Sequence, residues 1–109
     1  MTFRRRLFGI GALFLAGLLP LPAGAARYVV EMRNMKFGPA PAHLKVGDTI
    51  LWVNKDMFRH TATAKAAPFD LDLAPGAQGE AVLKKPGVFD VVCRYHPNMT
   101  LWLTVGKEK

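Results

Sequence analysis

The sequence contains a single cysteine, Cys93, among its 109 residues, so no disulfide can form within the chain. It also lacks internal repeats and low-complexity tracts. After residue 25, no stretch carries the 3.6-residue apolar period of an amphipathic helix. The net charge is +7, but the basic residues are scattered and not clustered with aromatic ones, which argues against nucleic-acid binding. The length corresponds to a single domain, and half of the residues are hydrophobic.

The N-terminal segment has the pattern of a secretory signal peptide. Three arginines at 4–6 precede an apolar run over 7–21, and a small-residue motif follows at 23–25. A membrane anchor is the alternative, but the run is shorter than the roughly 20 apolar residues that cross a bilayer. We therefore predict a signal peptide over 1–25 and a domain over 26–109. The mature protein is expected in the periplasm, free of the membrane. The sequence does not choose between the Sec and the twin-arginine export routes.

The predicted export makes the single unpaired cysteine informative about function. Cysteines in oxidising compartments usually pair as disulfides, and Cys93 has no partner in the chain. A metal ion would both protect and use the thiol, because a bound thiolate is no longer a free nucleophile.

Short extended segments separated by Gly and Pro turns recur through the predicted domain. Segments of this length at near-regular spacing are typical of a β-sandwich, so we predict an all-β fold. Strand alternation places Phe89, Val91 and Cys93 on one face and Asp90 on the other, so Cys93 should point inward at the end of a strand. The extended segments are 28–33, 43–46, 49–53, 60–65, 81–84, 88–93 and 101–105.

A compact metal-binding motif follows that strand: Cys93-x-x-His96-x-x-Met99. A thiolate, an imidazole and a thioether within seven residues can reach one ion from a single loop, and His60 is the candidate for a fourth ligand from a neighbouring strand. Two His, one Cys and a weak Met describe a copper site of the blue, or type 1, kind. Structural zinc prefers strong ligands throughout, and iron–sulfur clusters need more thiolates.

Each of these residues has an ordinary alternative. A lone Cys or Met on a strand is often only a packing residue, and a His in a loop is often only solvated. The four together, at this spacing and behind an export signal, favour one copper ion. The remaining histidine, His43, has no partner motif and is expected at the surface.

With these residues in place, the sequence resembles the cupredoxins, in particular the plastocyanin/amicyanin group. The resemblance implies a Greek-key β-sandwich and an electron port at His96, with Met57, Phe58 and Pro97 as an apolar patch for transient docking of redox partners. The short Cys-to-Met loop and the segment 52–57 look most like amicyanin. The matching segments are 37–39, 44–50, 52–56, 73–76, 85–89 and the ligand motif.

Two departures from the family pattern concern the surroundings of the metal. Thr61 replaces the Asn that commonly follows the first His and helps to fix the loop around the thiolate, and Tyr95 replaces the Pro that amicyanin carries before the second His. Such surroundings tune a metal site, so the reduction potential and the colour are the properties in question.

The leading functional hypothesis is a periplasmic, monomeric one-electron carrier that serves a dehydrogenase, a c-type cytochrome or a reductase. A copper-binding and delivery protein is the alternative. A copper enzyme would need an open coordination position, and four protein ligands leave none, so we predict that the protein is not an enzyme.

Overall fold

Burial alternates along the first strand, as expected when one face of a sheet packs against a partner. In the first strand, Val30 and Met32 are buried while Val29 is exposed. The computed structural model describes residues 24–107. The strands are β1 (Arg27–Arg33), β2 (Lys36–Phe37), β3 (Leu44–Lys45), β4 (Thr49–Asn54), β5 (His60–Ala64), β6 (Phe69–Leu73), β7 (Gln78–Val82), β8 (Gly87–Cys93) and β9 (His96–Gly106).

The strands form two sheets, with the orders β2-β1-β4-β7 and β3-β9-β8-β5-β6. β1 runs parallel to β4, β3 runs parallel to β9, and the other neighbours are antiparallel. Strands distant in sequence therefore lie side by side. The all-β prediction is confirmed, and the arrangement fits a Greek-key β-sandwich.

Aromatic rings fill the space between the sheets. Trp52 of β4 is fully buried, and its ring lies 5.7 Å from Phe37 and 5.8 Å from Phe69 between centroids. Such contacts bury large apolar areas, and aliphatic residues from both sheets, Ile50 and Leu103 among them, complete the core. This packed core holds in place the strands that carry the candidate ligands.

Three local predictions differ from the structure. His43, which was expected to begin an extended segment, has a φ of 59°, and the strand there is only Leu44–Lys45. The extended segment predicted over 49–53 continues to Asn54, which ends β4 and is buried. The connection predicted between the extended segments 88–93 and 101–105 is shorter, because β9 already begins at His96.

The predicted signal peptide lies almost entirely outside the described residues. Within 24–107, no helix is long and apolar enough to cross a membrane.

Candidate metal centre

Strand parity sets the direction of the cysteine, as the sequence predicts. Phe89, Val91 and Cys93 of β8 are buried, while Asp90 between them is exposed. Cys93 is the last residue of its strand. Its thiol therefore enters the sandwich at one end of the sheet, where the chain turns.

A tight hairpin brings His96 next to Cys93. β8 and β9 pair in register as far as Val92, which lies opposite Thr100, and the register then shifts so that Cys93 pairs with His96. Only Arg94 and Tyr95 lie between the two strands. The shift skips residues 97–99 of β9 and places His96 directly opposite Cys93 across the hairpin.

His60 joins from β5, the strand beside β8. Its Nδ1 lies 3.2 Å from Nδ1 of His96 and 3.9 Å from Sγ of Cys93, and the third side of the triangle, from Cys93 Sγ to His96 Nδ1, is 3.5 Å. The structure therefore brings together three of the four predicted ligands, from two chain segments more than thirty residues apart.

The size of this triangle suits a metal ion. Its centre lies roughly 2 Å from each of the three atoms, close to the bond length between a first-row metal ion and an imidazole nitrogen. Two imidazoles and a thiolate in a trigonal set are the ligands of blue copper sites. The residues present thus fit a copper ion.

Met99, the predicted weak ligand, is buried on β9 three residues after His96. It belongs to the same apolar cluster as Cys93. An apolar shell of this kind limits the access of water to a metal site.

The outer nitrogen of His60 has a partner that the sequence reading missed. His60 Nε2 lies 2.8 Å from a carboxylate oxygen of Asp56, and the backbone N–H groups of Asn34 and Met35 also donate to this carboxylate. The hydrogen bonds from His60 and then from Met35 hold the pKa of Asp56 below its usual value. An ionised carboxylate can only accept, so the proton of a neutral His60 sits on Nε2 and Nδ1 keeps a lone pair for a metal.

Asn54 fixes the loop that precedes His60. Its amide group donates to the backbone carbonyls of Phe58 and Leu73, at 2.7 and 3.0 Å. Its side-chain oxygen accepts the backbone N–H of Asp56 at 2.9 Å. Because Asn54 is fully buried, these bonds are shielded from competing water.

Thr61 supports the cysteine, although it departs from the family pattern. Its backbone N–H donates to Cys93 Sγ at 3.3 Å, and its hydroxyl accepts the backbone N–H of Arg94 at 2.9 Å. A threonine hydroxyl therefore fixes the ligand loop here. A donor to the thiolate withdraws electron density from it, which is one way in which surroundings tune a metal.

His96 is the part of the centre that reaches the surface. It is only half-buried, whereas Cys93 and His60 are buried. Phe58, Arg59 and Tyr95 line a shallow pocket with His96, and Phe58, Tyr95 and Pro97 are exposed, as is Met57, which precedes Phe58 in the chain. His43, in contrast, is exposed and lies outside the cluster, as predicted.

Comparison with known proteins extends these observations. No family model matches the sequence. The chain is 33% identical to pseudoazurin of Methylorubrum extorquens over 121 aligned positions, gaps included, which cover 100% of this chain and 82% of that protein. It is 31% identical to amicyanin of Paracoccus denitrificans over 86 aligned positions, which cover 65% of this chain, and it spans only 59% of that protein's length.

Solved structures show the same fold. A purple cupredoxin from Nitrosopumilus maritimus matches 72% of this chain and 99% of its own, with a TM-score of 0.62 and 22% identity. A copper-containing nitrite reductase from Thermus scotoductus matches 81% of this chain with a TM-score of 0.64 and 29% identity, but only 23% of the reductase is covered. Neither curated relative is named for an enzyme activity, in line with the prediction of a non-enzyme.

The expectation of copper as the cofactor is confirmed at the level of the family, whose members bind one copper ion. The two-sheet architecture, the Cys–His–His cluster and the identity to pseudoazurin over the whole chain lead to one conclusion: the chain belongs to the cupredoxins and resembles amicyanin and plastocyanin.

Proposed function

We propose that this protein is a type 1 copper protein that carries single electrons between redox partners, with His60, Cys93, His96 and Met99 as the copper ligands. The observation that carries the proposal is the triangle of two Nδ1 atoms and one Sγ, all within 3.9 Å of one another. Copper in such a site alternates between Cu(I) and Cu(II), which supplies the one-electron chemistry.

The surrounding residues favour electron exchange over chemistry on a substrate. Asp56 holds His60 at its outer nitrogen, and Thr61 donates to the thiolate. Both contacts fix ligand orientation in advance, so an electron can move with little rearrangement of the protein. Within residues 24–107, the only acidic side chain bonded to a proposed ligand is that of Asp56, which already accepts from His60 and from two backbone N–H groups.

Docking would take place at the exposed edge of His96. Apolar side chains there, led by Met57 at 85% and Phe58 at 56% exposure, offer a small contact area. Small contacts suit a carrier that must release its partner quickly. The partner classes that fit are a dehydrogenase, a c-type cytochrome or a reductase.

The cellular setting forms part of the proposal. The segment 1–25 would direct export and be removed, so that residues 26–109 act as a monomer in the periplasm. The basic and apolar pattern of this segment supports export, and so does the solitary thiol, which a metal would protect in an oxidising compartment.

The test is the visible spectrum of protein produced from the full chain and loaded with Cu(II). We expect an intense thiolate-to-copper charge-transfer band that Cys93→Ser abolishes. His43→Ala, a change in the exposed histidine outside the cluster, is the matched control and should leave the band unchanged. A colourless copper form of the unaltered protein would overturn the proposal.

Copper transfer to a chelator, followed by stopped flow, separates electron carriage from copper delivery. Slow release is expected, because His60 is buried and its outer nitrogen is bonded to Asp56. Rapid exchange together with tolerance of Met99 loss would instead favour delivery.

A further inference from the structure

Two carboxylates lie on β6, the strand at the edge of the second sheet. Asp70 and Asp72 are two residues apart, so they project from the same face of the strand. Both belong to side chains that are partly exposed, at 53% and 35%. Both contact residues that adjoin the proposed copper ligands in sequence.

Asp72 links the residues that precede the two histidines. Arg59, immediately before His60, donates through Nε to one carboxylate oxygen at 2.8 Å. Tyr95, immediately before His96, donates its hydroxyl to the other oxygen at 2.6 Å. One carboxylate therefore joins two chain segments that are 36 residues apart.

Asp70 links Arg94, which follows Cys93, to Thr63 of β5, the strand that begins at His60. Arg94 Nε donates to its Oδ1 at 3.2 Å, and the Thr63 hydroxyl donates to the same oxygen at 2.7 Å. The Thr63 and Thr61 hydroxyls are 2.9 Å apart, and Thr61 accepts the backbone N–H of Arg94.

The directions of these bonds are fixed by chemistry. An ionised carboxylate only accepts, so Thr63 must donate to Asp70, and its single proton is then used. Thr61 must therefore donate to Thr63, which leaves its oxygen free to accept from Arg94. This series of hydrogen bonds starts at the backbone N–H of Arg94 and ends at the carboxylate of Asp70. Because the Arg94 side chain also donates to that carboxylate, the hydrogen bonds close a ring.

We propose that Asp70 and Asp72 are positioning residues for the metal centre. Through these bonds they hold both residues of the turn between Cys93 and His96, and they tie that turn to the residues on either side of His60. The ligand atoms thereby keep their separations when the site gains or loses an electron. This inference rests on the proposed function, since it concerns a copper site.

The test compares Asp70→Ala with Asp70→Asn. The alanine removes the acceptor of both Thr63 and Arg94, while the asparagine keeps an oxygen for them and removes only the charge. In copper-free protein we expect several-fold faster hydrogen exchange at the Arg94 amide in Asp70→Ala and near-normal exchange in Asp70→Asn. In copper-loaded protein we expect slower electron self-exchange and a broader EPR spectrum in the alanine variant alone.

Thr63→Val and Thr63→Ser probe the middle of the ring. The valine removes the hydroxyl and should act like Asp70→Ala, and the serine should restore normal behaviour. Glu80→Ala is the matched control, because it removes an exposed carboxylate that pairs with Arg27 at 3.4 Å in the other sheet. It should change neither the exchange at Arg94 nor the copper signals.

For Asp72 the corresponding variant is Tyr95→Phe, which removes the hydroxyl donor and keeps the ring. We expect a broader EPR spectrum, with the visible band retained.

The outcomes separate the two proposals. An unaltered protein that shows no charge-transfer band overturns the proposed function. An intact band, with unchanged Arg94 exchange and unchanged self-exchange in Asp70→Ala, overturns the positioning role alone. If Asp70→Asn behaves like Asp70→Ala, the carboxylate acts through its charge, and the positioning role is again overturned.

Discussion

His60 and His96 present the same nitrogen to the metal centre from opposite surroundings. His60 lies at the start of a strand, has none of its surface exposed, and is held at its outer nitrogen by Asp56. His96 follows a two-residue turn, is partly exposed and has apolar, exposed neighbours. One side of the site is therefore supplied by a buried strand residue, and the other side by a residue of a surface hairpin.

This difference separates two tasks that a metal centre has to combine. The buried side fixes where the donor atoms lie, because hydrogen bonds shielded from water hold their geometry. The exposed side would give a redox partner access to the ring of a proposed ligand. The five predictions below test this separation.

The largest effect should come from deleting each imidazole. We expect His60→Gly and His96→Gly both to lose the charge-transfer band. Added imidazole should restore it only in His96→Gly, because His60 occupies a closed position. A titration with imidazole followed in the visible range measures this, and restoration in His60→Gly would contradict the assignment of the buried side.

Loss of the Asp56 carboxylate should weaken copper binding. Removing a hydrogen-bond partner of a metal-ligating histidine typically lowers affinity about 10–100-fold, and we expect this for Asp56→Ala in a competition titration. Asp56→Asn keeps an acceptor for His60 and should lose less copper affinity than Asp56→Ala. Asp90→Ala, at an exposed position of β8, is the control, and an equal loss there would show a non-specific effect.

Asn54→Ala tests the buried side without copper. The change leaves the buried carbonyl of Leu73 and the carbonyl of Phe58 without this donor. An unsatisfied buried group costs about 1–3 kcal/mol, so the free energy of unfolding of copper-free protein in urea should fall by about that amount. An unchanged unfolding midpoint would mean that water replaces the amide.

Met99→Leu should have a milder effect. Leucine has a similar volume, and such exchanges usually cost less than about 1.5 kcal/mol, so the fold should persist. A weak ligand tunes a site more than it holds the metal. We expect copper and colour to be retained and the reduction potential to change in voltammetry; complete loss of copper would refute the weak-ligand role.

Acidification should modestly lower the stability that Asp70 and Asp72 contribute beside the β8–β9 hairpin. Hydrogen bonds, from Thr63 first and then from Arg94, lower the pKa of Asp70, and Tyr95 followed by Arg59 lowers that of Asp72. A lowered pKa in the folded state means that the stabilisation is present above the ordinary value of 3.8 and is lost as the pH falls through the lowered values.

The measurement compares unfolding of the unaltered protein with that of an Asp70→Asn/Asp72→Asn double variant across pH. The difference should be constant near neutrality and vanish at low pH. A difference that grows on acidification would contradict the sign of the shift.

Local features of the chain were predictable, because they depend on neighbours in sequence. The parity of β8 placed Cys93 inside, and the spacing of Cys93, His96 and Met99 indicated a shared ion. Alternation and turn residues indicated the sandwich. The turn itself was predicted too long, because pairing of β9 with β8 extends the strand back to His96.

The sequence by itself determined the fold class, the ligand motif and the residue types that suit copper. The tertiary structure alone decided what surrounds those ligands. The partnership of Asp56 with His60 depends on how the loop after β4 folds back. The contacts of Asp70 and Asp72 depend on β6 lying beside β5 and close to the hairpin. Hydrogen bonds between distant segments form only when strand order brings them together, and spacing along the chain carries no record of that order.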